Sequence, residues 1–446
     1  MMRAVIMAAG KGTRMKSATP KVLHELCGRP MIEHVIDAVR GAGAGQIFAV
    51  VSPDLKSHLE GLGVACIVQD PQNGTGHAVA IAMAALERAD GEILIASGDM
   101  PLVPAELLRA VVDVRARSSA ELALVSARVP LPTNFGRIVR EGGRIVRIVE
   151  NADASDAERR IDEVNTGIYC FEESALRRHV AALRPDNAQG ELYLTDCIAS
   201  IAREGGRIEA FVCDDARLVM GINNRIELAA ANAVLQRRIL ETHMLAGVTI
   251  VDPTSVGIDA GVEIGPDTTI LPQTMLRGKT TVGGKCAIGP GCLLEHAQVA
   301  DGVTIWYSVV RDSSVGRGVT IGPFAHLRGG SNVHEDARIG DYVELKNTVL
   351  GRGAKAQHLA YLGDAEIGEE TNIGAGTITC NYDGKRKNKT KIGKRAFVGS
   401  NSSLVAPVSI GDEAMTGAGT VVIRDVPPGE RVVGNPARPI KRKAEP

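Results

Sequence analysis

Two rhythms of apolar positions divide this chain. Up to about Asn224, short apolar runs such as Ala4 to Ala8, Ile47 to Val51 and Ile93 to Ala96 alternate with helical stretches such as Ala78 to Leu86. Buried strands alternating with helices predict a mostly parallel α/β sheet, with ligands at the carboxyl ends of its strands. From Arg225 to Leu245 there is no Gly or Pro and the residues are strong helix formers, which predicts one continuous linker helix. Beyond Val248 the period becomes six. Ile264, Ile270, Leu276, Val282, Ile288 and Leu294 are six apart; so are Val315, Ile321, Leu327, Val333, Ile339 and Leu345, and again Ile392, Val398, Leu404, Ile410, Thr416 and Val422. Four places after many of these stands something small: Thr268, Cys286, Cys292, Ala325, Ala337, Ala396, Ser402, Ala414. In a strand, that residue and the next aliphatic two places on share a face, so both point inward. Three hexads close one triangular coil, and a coil cannot bury its interior alone, so stacked coils of a parallel β-helix follow. The boundaries are residues 1–224, a helix over 225–245, and the repeat domain over 246–446. The period breaks twice: in five-residue steps at Leu345 to Leu350 and Leu362 to Ile367, and after Thr379, where NYDGKRKNKTK leaves room for a protruding loop. Irregularities on a rigid scaffold are where function tends to sit.

Composition narrows the function classes. The formal net charge is −1 and the charged fraction is ordinary, which argues against a polyanion-binding surface and therefore against a nucleic-acid partner. No run of eighteen apolar residues occurs, and the opening MMRAVIMAAGKG is too short for a signal segment before its glycine loop, so no membrane is expected. The eight cysteines show no C-x-x-C spacing. They read as reduced thiols of a soluble cytoplasmic protein. Fifty glycines against 3% aromatics suit a fold of many tight corners.

Candidate chemistry begins directly after the first strand. Gly10, Gly12, Thr13 and Arg14, followed by Pro20 and Lys21, make a loop whose backbone can approach a polyphosphate while Arg14 and Lys21 supply positive charge. The complete G-x-G-T-R with P-K six residues on closely resembles the signature of sugar-1-phosphate nucleotidyltransferases. Further segments match in order. Gln69 and Gly74-Thr75-Gly76-His77 resemble the part that reads the uracil edge. Ser97-Gly98-Asp99 ends a predicted strand, where a carboxylate suits Mg²⁺. The family's second metal ligand is an Asn, matched by Asn223. Phe135-Gly136-Arg137, Glu150 and Asn165-Thr166-Gly167 align with its sugar-binding positions; taken singly, Glu150 and Asn165 would read as surface polar residues. The implied reaction is in-line attack of a sugar phosphate on the α-phosphorus of UTP, with Mg²⁺, Arg14 and Lys21 compensating charge.

The coil carries more than its repeat. Gln357-His358-Leu359-Ala360-Tyr361-Leu362-Gly363-Asp364, then Asn372-Ile373-Gly374-Ala375-Gly376 and Thr379-Cys380-Asn381-Tyr382-Asp383-Gly384, stand in this order behind the head. Over nearly its whole length the chain resembles the bifunctional N-acetylglucosamine-1-phosphate uridylyltransferase and glucosamine-1-phosphate N-acetyltransferase family, whose coil is a left-handed β-helix. The resemblance implies acetylation of glucosamine 1-phosphate by acetyl-CoA, uridylyl transfer from UTP to N-acetylglucosamine 1-phosphate, and a homotrimer. It implies His358 as catalytic base, Arg328, Lys346, Tyr361 and Asn372 on the sugar phosphate, Asn381 and Tyr382 at the amine end, and Ala375, Ser400 and Ala418 toward acetyl-CoA. His358 stands two places after the hexad position at Ala356, off the inward-facing slots and inside the irregular stretch, and should face outward near a corner; an imidazole of ordinary pKa ~6.5 accepts a proton from an amine near neutrality. For the charged end of CoA, Arg438 or the tail Lys441-Arg442-Lys443 is available.

Two rivals remain open on sequence. One is a single-site nucleotidyltransferase whose coil serves only assembly or regulation. The other is an acetyltransferase for a different amino-sugar phosphate. His358 and the Asn381-Tyr382 loop weigh against the first, because a purely structural coil has no need of them.

Overall fold

Each apolar run of the first half becomes a strand. These are β1 (Arg3–Met7), β2 (Gln46–Val51), β3 (Ala65–Val68), β4 (Glu92–Ser97) and β5 (Leu122–Arg128), with a hairpin of β6 (Arg137–Glu141) and β7 (Arg144–Val149), then β8 (Glu163–Glu172) and β9 (Ile208–Cys213). The sheet runs β9-β5-β8-β4-β1-β2-β3. All neighbours pair in parallel except β8, which is antiparallel to both β4 and β5. Alternation along β1 assigns its two faces. Ala4 and Ile6 join the core under α1 (Met31–Gly41) and α3 (Ala105–Ser118), whereas Val5 joins the core under α2 (Thr75–Ala85), α4 (Glu173–Val180) and α5 (Asp196–Arg203). Both faces of the sheet are thus covered, as a parallel sheet requires.

An unbroken helix, α6 (Arg225–Leu245), follows. The computed structural model describes residues 2–440. The chain divides into two units, Met1–Leu235 and Gln236–Pro446, and the division falls within this helix. Its first half packs Ala231 with Leu26, Met31, Leu102 and Ile222. In its second half Leu240 joins the interior of the coil.

The second unit is the parallel β-helix that the hexads predict. Two- to four-residue strands stack into three sheets of twelve, ten and nine strands. Register shows the winding: Thr269 pairs with Ala287, which pairs with Thr304, each one coil later. The inward ladder is dry. Ile270, Leu276, Ile288, Leu294, Ile321, Leu327 and Leu345 are fully buried, and the small residues Thr268, Cys286, Cys292, Ala325, Ala337, Ala396, Ser402 and Ala414 stand inside with them. Each such aliphatic contributes about 1.5–3 kcal/mol by leaving water.

One expectation needs correction. Five-residue steps are not confined to the stretch around His358. Leu294 to Val299, Ile305 to Val310 and Val310 to Val315 are also five apart, and all of these residues are buried ladder members. A five-residue step shortens a corner without disturbing the inward face, because the strand core keeps its two-residue alternation. It is a tolerated variant of the coil and marks no site. The excursion after Thr379 is different. Residues 381–389 leave the coil and return, with Asn388 N–H donating to the Asn381 carbonyl at 2.7 Å and Tyr382 bridging Lys387.

Candidate active sites

In the head, the loop after β1 is shaped by Lys21. Gly12 has φ +59, and a Cβ there would stand 2.6 Å from Lys21 Cβ, so only glycine allows the loop and the Pro20-Lys21 segment to approach so closely. The Lys21 ammonium forms a short ion pair with Asp99 and donates to Asn223 Oδ1 at 2.8 Å; Arg14 donates to the same oxygen at 2.9 Å. Asp99 follows the carboxyl end of β4, and its carbonyl accepts from Ile222 N–H at 3.0 Å, which brings the neighbouring Asn223 alongside. Asn223 is fixed from the other side as well. Asn224 Oδ1 accepts from the Ile226 and Glu227 N–H groups at the start of α6, while Glu227 reaches back to Asn223 N–H at 2.6 Å and Asn224 Nδ2 at 2.6 Å. This reciprocal arrangement is a variant of the capping box, in which Asn224 caps the helix and Glu227 accepts from the N–H of the residue before the cap.

These groups border a cleft of about 520 Å³ lined by Arg14, Thr75, Ser97, Asp99, Gly136, Glu150, Asn165 and Asn223, among others. Gly10, Gly12, Thr13, Lys21, Gln69, Gly74 and Gly98 are not part of this lining; Lys21 touches it through its partners Asp99 and Asn223. Gln69 is buried, with its amide donating to the Gly74 carbonyl at 3.1 Å, so it pins the turn that begins α2. Glu150 accepts from Thr195 Oγ1 at 3.2 Å. Burial pushes its carboxyl up, and Asp153 and Asp196 add to the rise. Asn165 donates to Tyr169 Oη at 2.7 Å across a bulge in β8 that turns this segment toward the cleft. Arg137 differs from its alignment: it is fully buried and donates to the Thr133 and Phe135 carbonyls, which holds the loop before Gly136 instead of facing the cleft. Thr195, Tyr169 and Glu227 line the cleft unannounced by the motifs.

The two oxygens that meet on Lys21, one carboxylate and one amide, converge within reach of a single cation. That donor set fits Mg²⁺, which takes few protein ligands and completes its shell with water and phosphate. Among the described residues no group of three or more His, Cys, Asp or Glu side chains could hold a metal.

In the coil, His358 is exposed as expected, and its Nδ1 meets Asp341 Oδ1 at 2.6 Å. The two are ladder partners on successive coils. A carboxylate only accepts, so Nδ1 carries a proton, and in a neutral ring of this tautomer Nε2 is the nitrogen with a free lone pair. Asp341 stands one coil before His358 at the same corner, and aligning the coils in register would have found it. The column continues along that corner. Leu359 N–H donates to the Asp341 carbonyl, Gly376 to His358, Asn401 to Ala375 and Gly419 to Ser400. His358, Ala375, Ser400 and, one coil further, Ala418 therefore occupy equivalent corner positions, although they are far apart in sequence.

On the adjoining sheet Arg328 and Lys346 are ladder partners, and Gly363 holds the next rung. A Cβ on Gly363 would stand 2.5 Å from Tyr361 Oη and 2.7 Å from Asn381 Nδ2, so the missing side chain makes room for both. Asn381 donates to Asp364 at 2.6 Å, and Asn347 donates to the other oxygen at 2.8 Å. Burial alone would raise the Asp364 carboxyl; these two amides, with Lys346 and Lys387, outweigh it and hold the group below its usual range. The Lys346 ammonium beside it holds Lys387 below the usual lysine range. Two ammonium groups facing each other, with Arg328 on the neighbouring rung paired to Glu344 at 2.9 Å, can receive an anion. The motifs did not single out Lys387, because its loop follows no period.

Other named residues lie apart. Asn372 belongs to a different ladder, between Lys355 and Phe397. Tyr382 is exposed and donates to the Gly384 carbonyl at 2.7 Å. Arg438 pairs with Val433 in an antiparallel hairpin that closes the last described coil. Lys441, Arg442 and Lys443 lie outside the described residues.

Comparison with known proteins agrees with both architectures. The MobA-like NTP transferase domain matches residues 4–192, and the hexapeptide repeat of succinyl-transferase matches residues 389–424. The bifunctional protein GlmU of Trichlorobacter lovleyi is 47% identical over 431 residues, spanning 95% of this chain and 94% of that one. The bifunctional protein GlmU of Pelobacter propionicus is 46% identical over 436 residues, with 96% and 95% covered. That of Brevibacillus brevis is 46% identical over 427 residues, with 95% and 93% covered. The chain belongs to the family of bifunctional GlmU enzymes, with a nucleotidyltransferase head and a hexapeptide-repeat acetyltransferase coil.

Proposed function

We propose that the two reactions run in order, each on the residues described above. At the coil corner, His358 Nε2 takes a proton from the amino group of glucosamine 1-phosphate, with Asp341 holding the imidazole and stabilising its charged form. The amine attacks the thioester carbonyl of acetyl-CoA; the C–N bond forms, the C–S bond breaks, and the thiolate departs and is reprotonated. Arg328, Lys346 and Lys387 hold the sugar phosphate beside Tyr361, and Asn381 orients the amine end. The acetyl donor lies along the column of Ala375, Ser400 and Ala418, whose small side chains leave it room, with Arg438 toward its charged end.

In the head, Arg14 and Lys21 bind the triphosphate of UTP, the Gln69 to Thr75 turn meets the base, and Gly136, Glu150 and Asn165 hold N-acetylglucosamine 1-phosphate. The phosphate oxygen of that sugar attacks the α-phosphorus and pyrophosphate leaves. Asp99 and Asn223 are the ligands for Mg²⁺, which supplies charge compensation for the polyphosphate when bound. Proximity and charge carry this reaction, so no covalent nucleophile is required. The eight cysteines form no disulfide and no described helix is long and apolar enough to cross a membrane, which fits work in the cytoplasm. We place the coil in a homotrimer, because its long flat faces are available for packing.

The observation that carries this reading is the His358–Asp341 pair at the head of a column of small corner residues, an arrangement that a purely structural coil does not need. Thiol release from acetyl-CoA and pyrophosphate release from UTP are assayed separately. His358→Ala is expected to lose the thiol signal by ~10² to 10⁴-fold and keep the pyrophosphate signal; Asp99→Asn is expected to do the reverse. A wild-type protein that released no thiol with glucosamine 1-phosphate would sink the two-site reading.

A further inference from the structure

The cation site of the head is already filled by the chain itself. Lys21 sets one ammonium against Asp99 and, at 2.8 Å, against Asn223 Oδ1. These are the two oxygens assigned to the metal. The Lys21 and Asp99 side chains are only 12% and 18% exposed, so water screens the pair weakly. The root of the side chain is clamped by the close approach of Gly12 to Lys21 Cβ, while the flexible stem of Cγ, Cδ and Cε beyond it can swing.

We infer that Lys21 is a tethered cation that occupies the metal position of the ligand-free head and yields it only when a nucleoside triphosphate draws its ammonium away. A divalent ion arriving alone must evict a positive charge that has no anion to receive it. A triphosphate provides that anion, because Lys21 is also the residue assigned to hold it. Metal and nucleotide therefore bind as a coupled pair, and by reciprocity each strengthens the other. The consequence is order: the metal is not stored on the empty enzyme but enters with the substrate that needs it.

The inference rests on Asp99 and Asn223 being the metal ligands, and the test separates the two ideas. Mn²⁺ stands in for Mg²⁺, and its free concentration is followed by electron paramagnetic resonance as it is titrated into the full chain without nucleotide. Lys21→Met removes the charge, Lys21→Gln removes it but keeps a donor for Asp99, and Lys21→Arg keeps it. The two neutral variants are expected to bind Mn²⁺ about tenfold more tightly than the wild type, within the usual span of such couplings, and Lys21→Arg to stay within about twofold. Neutral variants that bind no more tightly, while Asp99→Asn weakens binding, would overturn the tethered-cation inference and leave the metal ligands standing. Unchanged Mn²⁺ binding in Asp99→Asn would remove the ligand assignment and the inference with it.

Discussion

The head and the coil each bring polar and charged side chains together at one place, by opposite means. The head gathers its groups from separate loops. Asp99 after β4, Glu150 after β7 and Asn223 before α6 line one cleft, and Lys21, from the loop after β1, meets Asp99 and Asn223 at its border. The coil gathers its groups by repetition, since residues one turn apart fall into the same column. Exposure follows from this. Lys21 is 12% exposed in its pair with Asp99, whereas the His358 side chain is 62% exposed on its corner. A charge in the cleft therefore acts at closer to full strength. The same charge on the corner is screened until something covers it, which is what the proposed trimer would supply.

The largest test of this contrast is Asp341→Asn. If the corner works as a held imidazole, the amide no longer enforces the tautomer, and acetyl transfer should fall by roughly 10²-fold while pyrophosphate release is unchanged. Retention of full thiol release would mean that the corner histidine needs no partner. Gly363→Ala is the next. Its methyl would enter the space of Tyr361 Oη and Asn381 Nδ2 and push the amine-orienting amide off Asp364, for a loss of about 10-fold in acetyl transfer with little change in the melting of the coil. A large stability loss with normal turnover by the surviving protein would show a packing position instead. The head's counterpart is Asn224→Ala. Removing the cap of α6 should cost about 1 kcal/mol of stability and loosen Asn223, so pyrophosphate release falls and thiol release does not.

The contrast also explains what the sequence revealed. The coil's fold was legible because a six-residue period has one physical solution, and its interior matches the ladder except at Ile264 in the first turns, which is only half-buried. Its chemistry was less legible. His358 stood out by its motif, but Asp341 and Lys387 did not, because one is visible only when coils are stacked in register and the other sits on a loop outside the repeat. The five-residue steps misled for a related reason, since they mark corners and not function. In the head the motifs named most of the cleft in order, and the alternating pattern placed Asp99 at the end of its strand. Arg137 shows the limit of alignment by motif: a charged residue in the right segment proved to be buried and to hold the loop from behind. Thr195 and Tyr169 carried no local signal at all, because single polar residues acquire meaning only from what they face.

The smallest expected effect concerns how far the head's cleft excludes water. Burial holds the Glu150 carboxyl above its ordinary range, with Asp153 and Asp196 pushing the same way and Thr195 opposing. The native state therefore binds this proton more tightly than the unfolded chain does. Its contribution to stability is fully present at low pH and is lost as pH rises through the raised native value. Glu150→Gln removes that dependence. Melting of the head, followed across pH from about 4 to 8, should show the variant gaining on the wild type as pH rises past the ordinary carboxylate value of ~4.3. A gap that stayed constant over this range would mean that water reaches Glu150 freely, and that the head's cleft is no drier than the coil's corner.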